Sequence, residues 1–139
     1  MRASMLVLAG MLSACTTAQE SPLTGSWTAI NAVRNGAPAL DVVGHRLTFA
    51  DDSFRIVKPD GALVYGGTYR VDPAAEPPSI DFVNTEGEAA GVTWAGIWRL
   101  DDTGLVITDN APDPSRPRPP GFGAPAGSGY IMVTFAPGG

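Results

Sequence analysis

The sequence predicts an all-β domain, a small antiparallel barrel or sandwich of about eight strands. Three observations carry that expectation. Apolar and polar residues alternate with period two in short runs, and turn signals separate the runs at intervals of roughly ten residues. The 17 Gly and 13 Pro make up about a fifth of the 139 residues. An interior Gly costs a helix about 1 kcal/mol and an interior Pro about 3, so long helices are disfavoured from the start.

The first run places Trp27, Ala29, Asn31 and Val33 on one parity and ends at the Asn35-Gly36 turn. After a loop containing Pro38, residues 41–44 read as a short helical or irregular piece. Leu47 and Phe49 mark a second strand, closed by Asp51-Asp52, and Phe54 and Ile56 mark a third, closed by Pro59-Asp60-Gly61. The fourth sets Leu63, Tyr65, Gly67, Tyr69 and Val71 on one face. Beyond a proline-rich loop, Ile80 and Phe82 form a short fifth strand, and Thr85 to Gly91 reads as a polar acidic turn. The sixth sets Val92, Trp94, Gly96, Trp98 and Leu100 on one face and turns at Asp101-Asp102-Thr103-Gly104. Leu105 and Ile107 carry the seventh strand. Ala111 to Ser128, with six prolines, is the longest break, and Ile131, Val133 and Phe135 complete the eighth strand.

Two of these faces share an aromatic–Gly–aromatic pattern, Tyr65-Gly67-Tyr69 and Trp94-Gly96-Trp98. Gly between large rings suits a tightly curved wall. The same glycines would serve equally as markers of β-bulges. Trp27 is expected to be buried at one end of the barrel.

The N-terminus reads as an address. Met1-Arg2 is followed by an uncharged apolar stretch from Ala3 to Leu12, too short to cross about 30 Å of hydrocarbon. Leu12-Ser13-Ala14-Cys15 then resembles the bacterial lipoprotein signal, in which small residues precede an obligatory Cys. Cys15 is the chain's only Cys. The resemblance implies a signal peptide over residues 1–14 and a Cys15 that carries a thioether-linked diacylglycerol and an acylated amine. Two or more acyl chains anchor stably where one is marginal. Residues 15–22 form the lipidated Cys and a tether of at most about 25 Å when extended, and residues 23–136 form the domain. Thr16 after the Cys points to outer-membrane sorting, facing the periplasm of a diderm host. The membrane is thus the expected partner.

Gly25-Ser26-Trp27 resembles the Gly-x-Trp signature that opens lipocalin-like barrels. Leu23-Thr24-Gly25-Ser26-Trp27, Arg46-Leu47-Thr48-Phe49, Gly67-Thr68-Tyr69-Arg70-Val71-Asp72-Pro73, Pro78-Ser79-Ile80-Asp81-Phe82, Thr85-Glu86-Gly87, Gly96-Ile97-Trp98-Arg99-Leu100 and Arg118-Pro119-Pro120-Gly121-Phe122 follow one another in the order of an uncharacterised bacterial lipocalin-like domain. The resemblance implies a lipocalin-like β-barrel and no settled activity. The last strand departs from it by ending Thr134-Phe135-Ala136, without the Arg that lipocalins lay over the first-strand Trp. That pairing is either lost or supplied by another Arg, such as Arg99 or Arg118.

The chemistry expected is sparse. A net charge of −5 argues against a nucleic-acid partner. One Cys and one His exclude an internal disulfide and the usual poly-His metal sites. His45 stands beside Arg46, whose charge would disfavour the imidazolium. Asp51-Asp52 and Asp101-Asp102 occupy turns, where Asp is favoured for local backbone hydrogen bonds, and Glu86-Gly87-Glu88 reads as a solvated turn. No catalytic constellation, cofactor site or metal site is apparent, and no enzyme is expected. Two functions stay open: a membrane-anchored module holding a small hydrophobic ligand between Tyr65, Tyr69, Trp94 and Trp98, or a packed-core envelope protein acting through its loops, chiefly Ala111 to Ser128.

Overall fold

A computed structural model describes residues 21–138. The expected signal peptide and the expected lipidation site, Cys15, lie outside the described residues. Nine strands follow one another: β1 (Gly25–Arg34), β2 (Ala37–Pro38), β3 (Arg46–Ala50), β4 (Ser53–Val57), β5 (Leu63–Asp72), β6 (Ser79–Gly87), β7 (Thr93–Asp101), β8 (Gly104–Asp109) and β9 (Ile131–Pro137). From β3 onward each strand pairs antiparallel with the next, and β1 pairs with both β3 and β9. The ring of β1 and β3 to β9 is therefore a closed eight-stranded antiparallel barrel. Closure removes the two long edges that an open sheet of these strands would expose. The two-residue β2 is an extra hairpin arm on the end of β1, paired through Val33↔Pro38 and Arg34↔Ala37. Asn35 and Gly36 make its turn with φ of 51° and 83°, the left-handed pair that an Asn-Gly hairpin favours.

Inward faces follow the sequence parity along most strands. Leu47 and Phe49, Ile80 and Phe82, Trp94 and Trp98, Leu105 and Ile107, and Val133 and Phe135 all belong to one core. In β1 the parity breaks. A bulge between Ala29 and Asn31 shifts the register with β9, so Ala29 and Ala32 are buried while Ile30 stands 53% exposed. Asn31 and Val33 are thus not the inward pair that simple alternation predicts, because one extra residue flips every side chain after it. The β6 strand is also longer than expected. Its ladder with β5 continues to Glu86 and Gly87, so the acidic segment is half strand and half turn.

Both glycines of the aromatic–Gly–aromatic faces are required by close backbone approach. Gly67 lies at the β5–β6 bulge, where any Cβ would run into the Val83 carbonyl. A Cβ on Gly96 would come 2.8 Å from both the Thr108 carbonyl and the Asp109 Cβ across the β7–β8 pair. Gly67 thereby follows the bulge alternative, and Gly96 makes room for the neighbouring strand.

The long segment from Ala111 to Ser128 contains no strand, as its prolines predict, yet it is firmly held. Thr108 Oγ1 donates to the Phe122 carbonyl (2.7 Å), and Asn110 Nδ2 donates to the Arg116 carbonyl (2.8 Å). Arg118 donates to the Ile80 and Gly96 carbonyls and pairs with Asp81 at 2.8 Å. The segment ends against the first hairpin through Gly36 N to the Ala124 carbonyl and Gly129 N to Asn35 Oδ1. This strap covers the outer face of β8, which explains why all six residues of that strand are buried.

One end of the barrel is packed shut. Trp27 donates from Nε1 to the Leu23 carbonyl at 2.9 Å, and Leu23 is fully buried. Among the described residues no arginine takes the covering role on this indole. Arg118 is engaged as above, and the Arg99 guanidinium lies 4.8 Å from the Phe122 ring centroid. The chain itself supplies the lid, with Gly138 N bonded to the Ser26 carbonyl. Trp27→Ala removes both the hydrogen bond and the volume. It should cost about 3–5 kcal/mol, the usual range for emptying a core aromatic site. A urea midpoint equal to that of the native chain would place the indole outside the core.

Candidate functional site

Five aromatic rings run through the barrel from the packed end to the open one. Tyr69 lies on Phe49 with centroids 4.4 Å apart, Phe49 stacks near Phe82 at 6.3 Å, and Phe82 meets Trp94 edge-on at 5.9 Å. Trp94 in turn meets Tyr65 edge-on at 4.8 Å. The first part of this run is solid core. Beyond Phe82 the interior opens into a cavity of about 580 Å³.

The opening has a structural origin. After Thr28, β1 leaves β3, and the turn between β2 and β3 takes the place at its flank. Ala39 N bonds to the Ala32 carbonyl, Gly44 N to the Ala29 carbonyl, and Ala29 N to the His45 carbonyl. The turn places Val42 and His45 on the cavity wall instead of filling it with a strand's full set of side chains. Leu47, Ile56, Phe82, Trp94, Ile107 and Val133 make the apolar floor and walls.

The sequence grouped Tyr65, Tyr69, Trp94 and Trp98 as the ligand-facing rings. The structure separates them. Tyr65 and Trp94 line the cavity. Tyr69 and Trp98 are corrected to the packed end: Tyr69 is buried against Phe49, and Trp98 donates from Nε1 to the Ser79 carbonyl at 3.0 Å. Residues four apart on one face are about 13 Å apart along a strand, so a face of this length reaches both ends of the barrel.

Charged groups ring the mouth. Arg34 holds Asp41 with two hydrogen bonds of 3.2 and 3.0 Å, and this contact holds the Asp41 carboxyl below its ordinary value. His45, Lys58 and Glu88 complete the rim. The His45 imidazole is lowered chiefly by burial, with Lys58 adding to the effect and Asp41 and Glu88 opposing it. The cation that contributes is therefore not its sequence neighbour Arg46. Glu88, expected in a solvated turn, is part of the rim, while Glu86 pairs with Arg55 outside the barrel at 3.1 Å. Asp101 is a turn residue, accepting from Thr103 N and Oγ1 at 2.9 and 2.6 Å.

Inside the mouth stands one group that the sequence reading passed over. Asp109 continues the inward parity of Leu105 and Ile107, and its side chain lines the cavity with only 8% of the residue exposed. A carboxyl on an apolar parity was the signal available. Oδ1 accepts from Ala111 N at 2.9 Å, and among the described residues no cation pairs with it. Burial pushes this carboxyl up to about 7, against the smaller opposing effect of the Ala111 N–H. The nearby Tyr65 hydroxyl is raised as well, first by burial and then by Glu88.

A raised carboxyl makes stability fall with increasing pH. Below about pH 4 Asp109 is neutral in both folded and unfolded chains, and above about 7 it is ionised in both, so the full penalty is present only at the higher pH. Each pH unit of displacement corresponds to about 1.4 kcal/mol. Asp109→Asn keeps the acceptor for Ala111 N and removes the charge. It should stabilise the chain by a few kcal/mol at pH 8 and by far less at pH 4, read as urea midpoints at the two pH values. Equal gains at both would mean that the carboxyl is not held neutral by burial. Compared with family models, curated proteins and solved structures, the chain matches none.

Proposed function

We propose that this chain is a membrane-anchored envelope lipoprotein whose lipocalin-like barrel is non-catalytic and holds one small apolar or amphipathic molecule. The observation that carries the reading is the cavity of about 580 Å³. That size falls among small-molecule sites, which run from roughly 300 to 1,000 Å³ and combine apolar walls with a few convergent polar groups. An eight-stranded barrel is wide enough either to be filled by its own side chains or to hold one ligand. Here the Trp27 end follows the first course and the Tyr65–Trp94 end the second. The packed-core alternative, acting through Ala111 to Ser128, is less well supported because that segment is pinned along the barrel wall.

The lipocalin-like part of the proposal rests on Gly25-Ser26-Trp27 at the head of a strand that closes the barrel, with Trp27 in the core. The anchor rests on Leu12-Ser13-Ala14-Cys15 after an apolar run. The chain enters the barrel at the Trp27 end, opposite the cavity mouth. A short tether from Cys15 would therefore present the mouth away from the bilayer surface.

Protein drawn from its own envelope should carry a bound small molecule in native mass spectrometry. Val133→Trp, which fills the cavity from β9, should reduce that occupancy at least tenfold while the β-sheet circular dichroism persists. Native protein with no adduct, or equal occupancy in the variant, would remove the ligand-holding reading. Lipidation is tested separately by feeding cells an alkyne fatty acid. Wild type should be labelled and Cys15→Ala should not, and equal labelling would sink the anchor.

A further inference from the structure

A buried carboxyl facing an apolar cavity is an uncommon lining. Asp109 has no cationic partner among the described residues, although Arg34 and Lys58 line the same cavity. Arg34 is committed to Asp41, and burial and the Ala111 N–H alone account for the state of the Asp109 carboxyl. We propose that the molecule held here is a small amine with an apolar, preferably aromatic, body: its ammonium pairs with Asp109 while its body lies along Trp94 and Tyr65. The inference rests on the ligand-holding reading above and names the class of ligand for that site.

The surrounding chemistry selects for such a molecule. An alkyl tail pressed on Asp109 would desolvate the carboxyl without replacing its hydrogen bonds. A second carboxylate placed there would repel it, so one of the two would have to take up a proton. An ammonium supplies the missing charge and donors together. The rings of Trp94 and Tyr65 meet edge-on at 4.8 Å beside it, and aromatic faces attract cations. Gly96 allows this arrangement, since a side chain at that position would press on the Asp109 Cβ from the paired strand.

The pairing also implies a pH dependence. The amine needs the ionised carboxylate, so affinity should fall by up to tenfold per pH unit below about 7. The other titratable groups facing the cavity are Arg34 on β1, Asp41 and His45 on the β2–β3 turn, Lys58 after β4, Tyr65 on β5 and Glu88 after β6. β7 and β9 present Trp94, Ile131, Val133 and Phe135, none of which titrates.

The test uses the full chain in lipid nanodiscs, with calorimetric titrations of 2-phenylethylamine, 2-phenylethanol and 3-phenylpropionate against empty nanodiscs as blank. At pH 8 the amine should bind at least tenfold more tightly than the alcohol, and the carboxylate should bind weakest. The preference should collapse at pH 5.5 and in Asp109→Asn. Carboxyl-carbon NMR of the wild-type chain gives a readout that does not depend on the variant: saturating amine should pull the Asp109 titration to lower pH. Amine and alcohol binding equally at pH 8, or a preference that survives in Asp109→Asn, would overturn the amine assignment while leaving the ligand-holding reading intact. No binding of any of the three would overturn the amine assignment, while the ligand-holding reading stands or falls by the mass-spectrometric occupancy.

Discussion

The pairing of β1 with β9 is the constraint on which the rest of this molecule depends. It turns a meander into a ring, from Trp27↔Pro137 at one end to Arg34↔Ile131 at the other. A strand that closes a barrel must satisfy partners on both sides. β1 does so at Trp27 and Thr28, where β3 lies on one flank and β9 on the other. Past the bulge at Ala29/Asn31 it keeps β9 but loses β3. The freed hydrogen-bonding groups are met by the turn around Ala39 to His45. That local substitution sets the difference between the two ends of the barrel.

Packing follows from it. Where β1 is flanked by two strands, full-size side chains meet across the interior, and Leu23, Trp27, Phe49, Tyr69, Trp98 and Leu105 close-pack. Where the turn replaces a strand, fewer side chains point inward and space is left above Phe82. The outside is asymmetric as well. The proline-rich strap covers β8, whose outward residues Val106 and Thr108 are buried beneath it. Asn110 begins the strap and also ties it to β7, accepting from Ala95 N at 2.9 Å. The residue next to it, Asp109, is thus held by a strand on one side and by an immobilised segment on the other.

That rigidity has an energetic meaning. A buried, unpaired carboxyl is a cost to folding at neutral pH, and folds commonly carry such costs at sites where a ligand relieves them. The mixed rim offsets none of this cost, because its arginine is already paired with Asp41. Under the reading proposed above, this cup, with one acid at its wall and charged groups at its mouth, would receive a molecule with a defined polar end.

What the sequence determined by itself was the element list and most of the inward parity. Alternation in Trp94-Gly96-Trp98, Leu105/Ile107 and Ile131/Val133/Phe135 is a local consequence of strand pleating, and Asn35-Gly36 and Asp101-Asp102-Thr103-Gly104 turn for local backbone reasons. Local rules therefore sufficed for these. Tertiary structure decided the rest. The β1 bulge depends on the register with β9, about a hundred residues away. The division of the four aromatic residues into core and cavity depends on which end of the barrel β3 reaches. The importance of Asp109 depends on a closed ring around it, because a single Asp after two apolar residues is an ordinary strand end until the other strands remove its water.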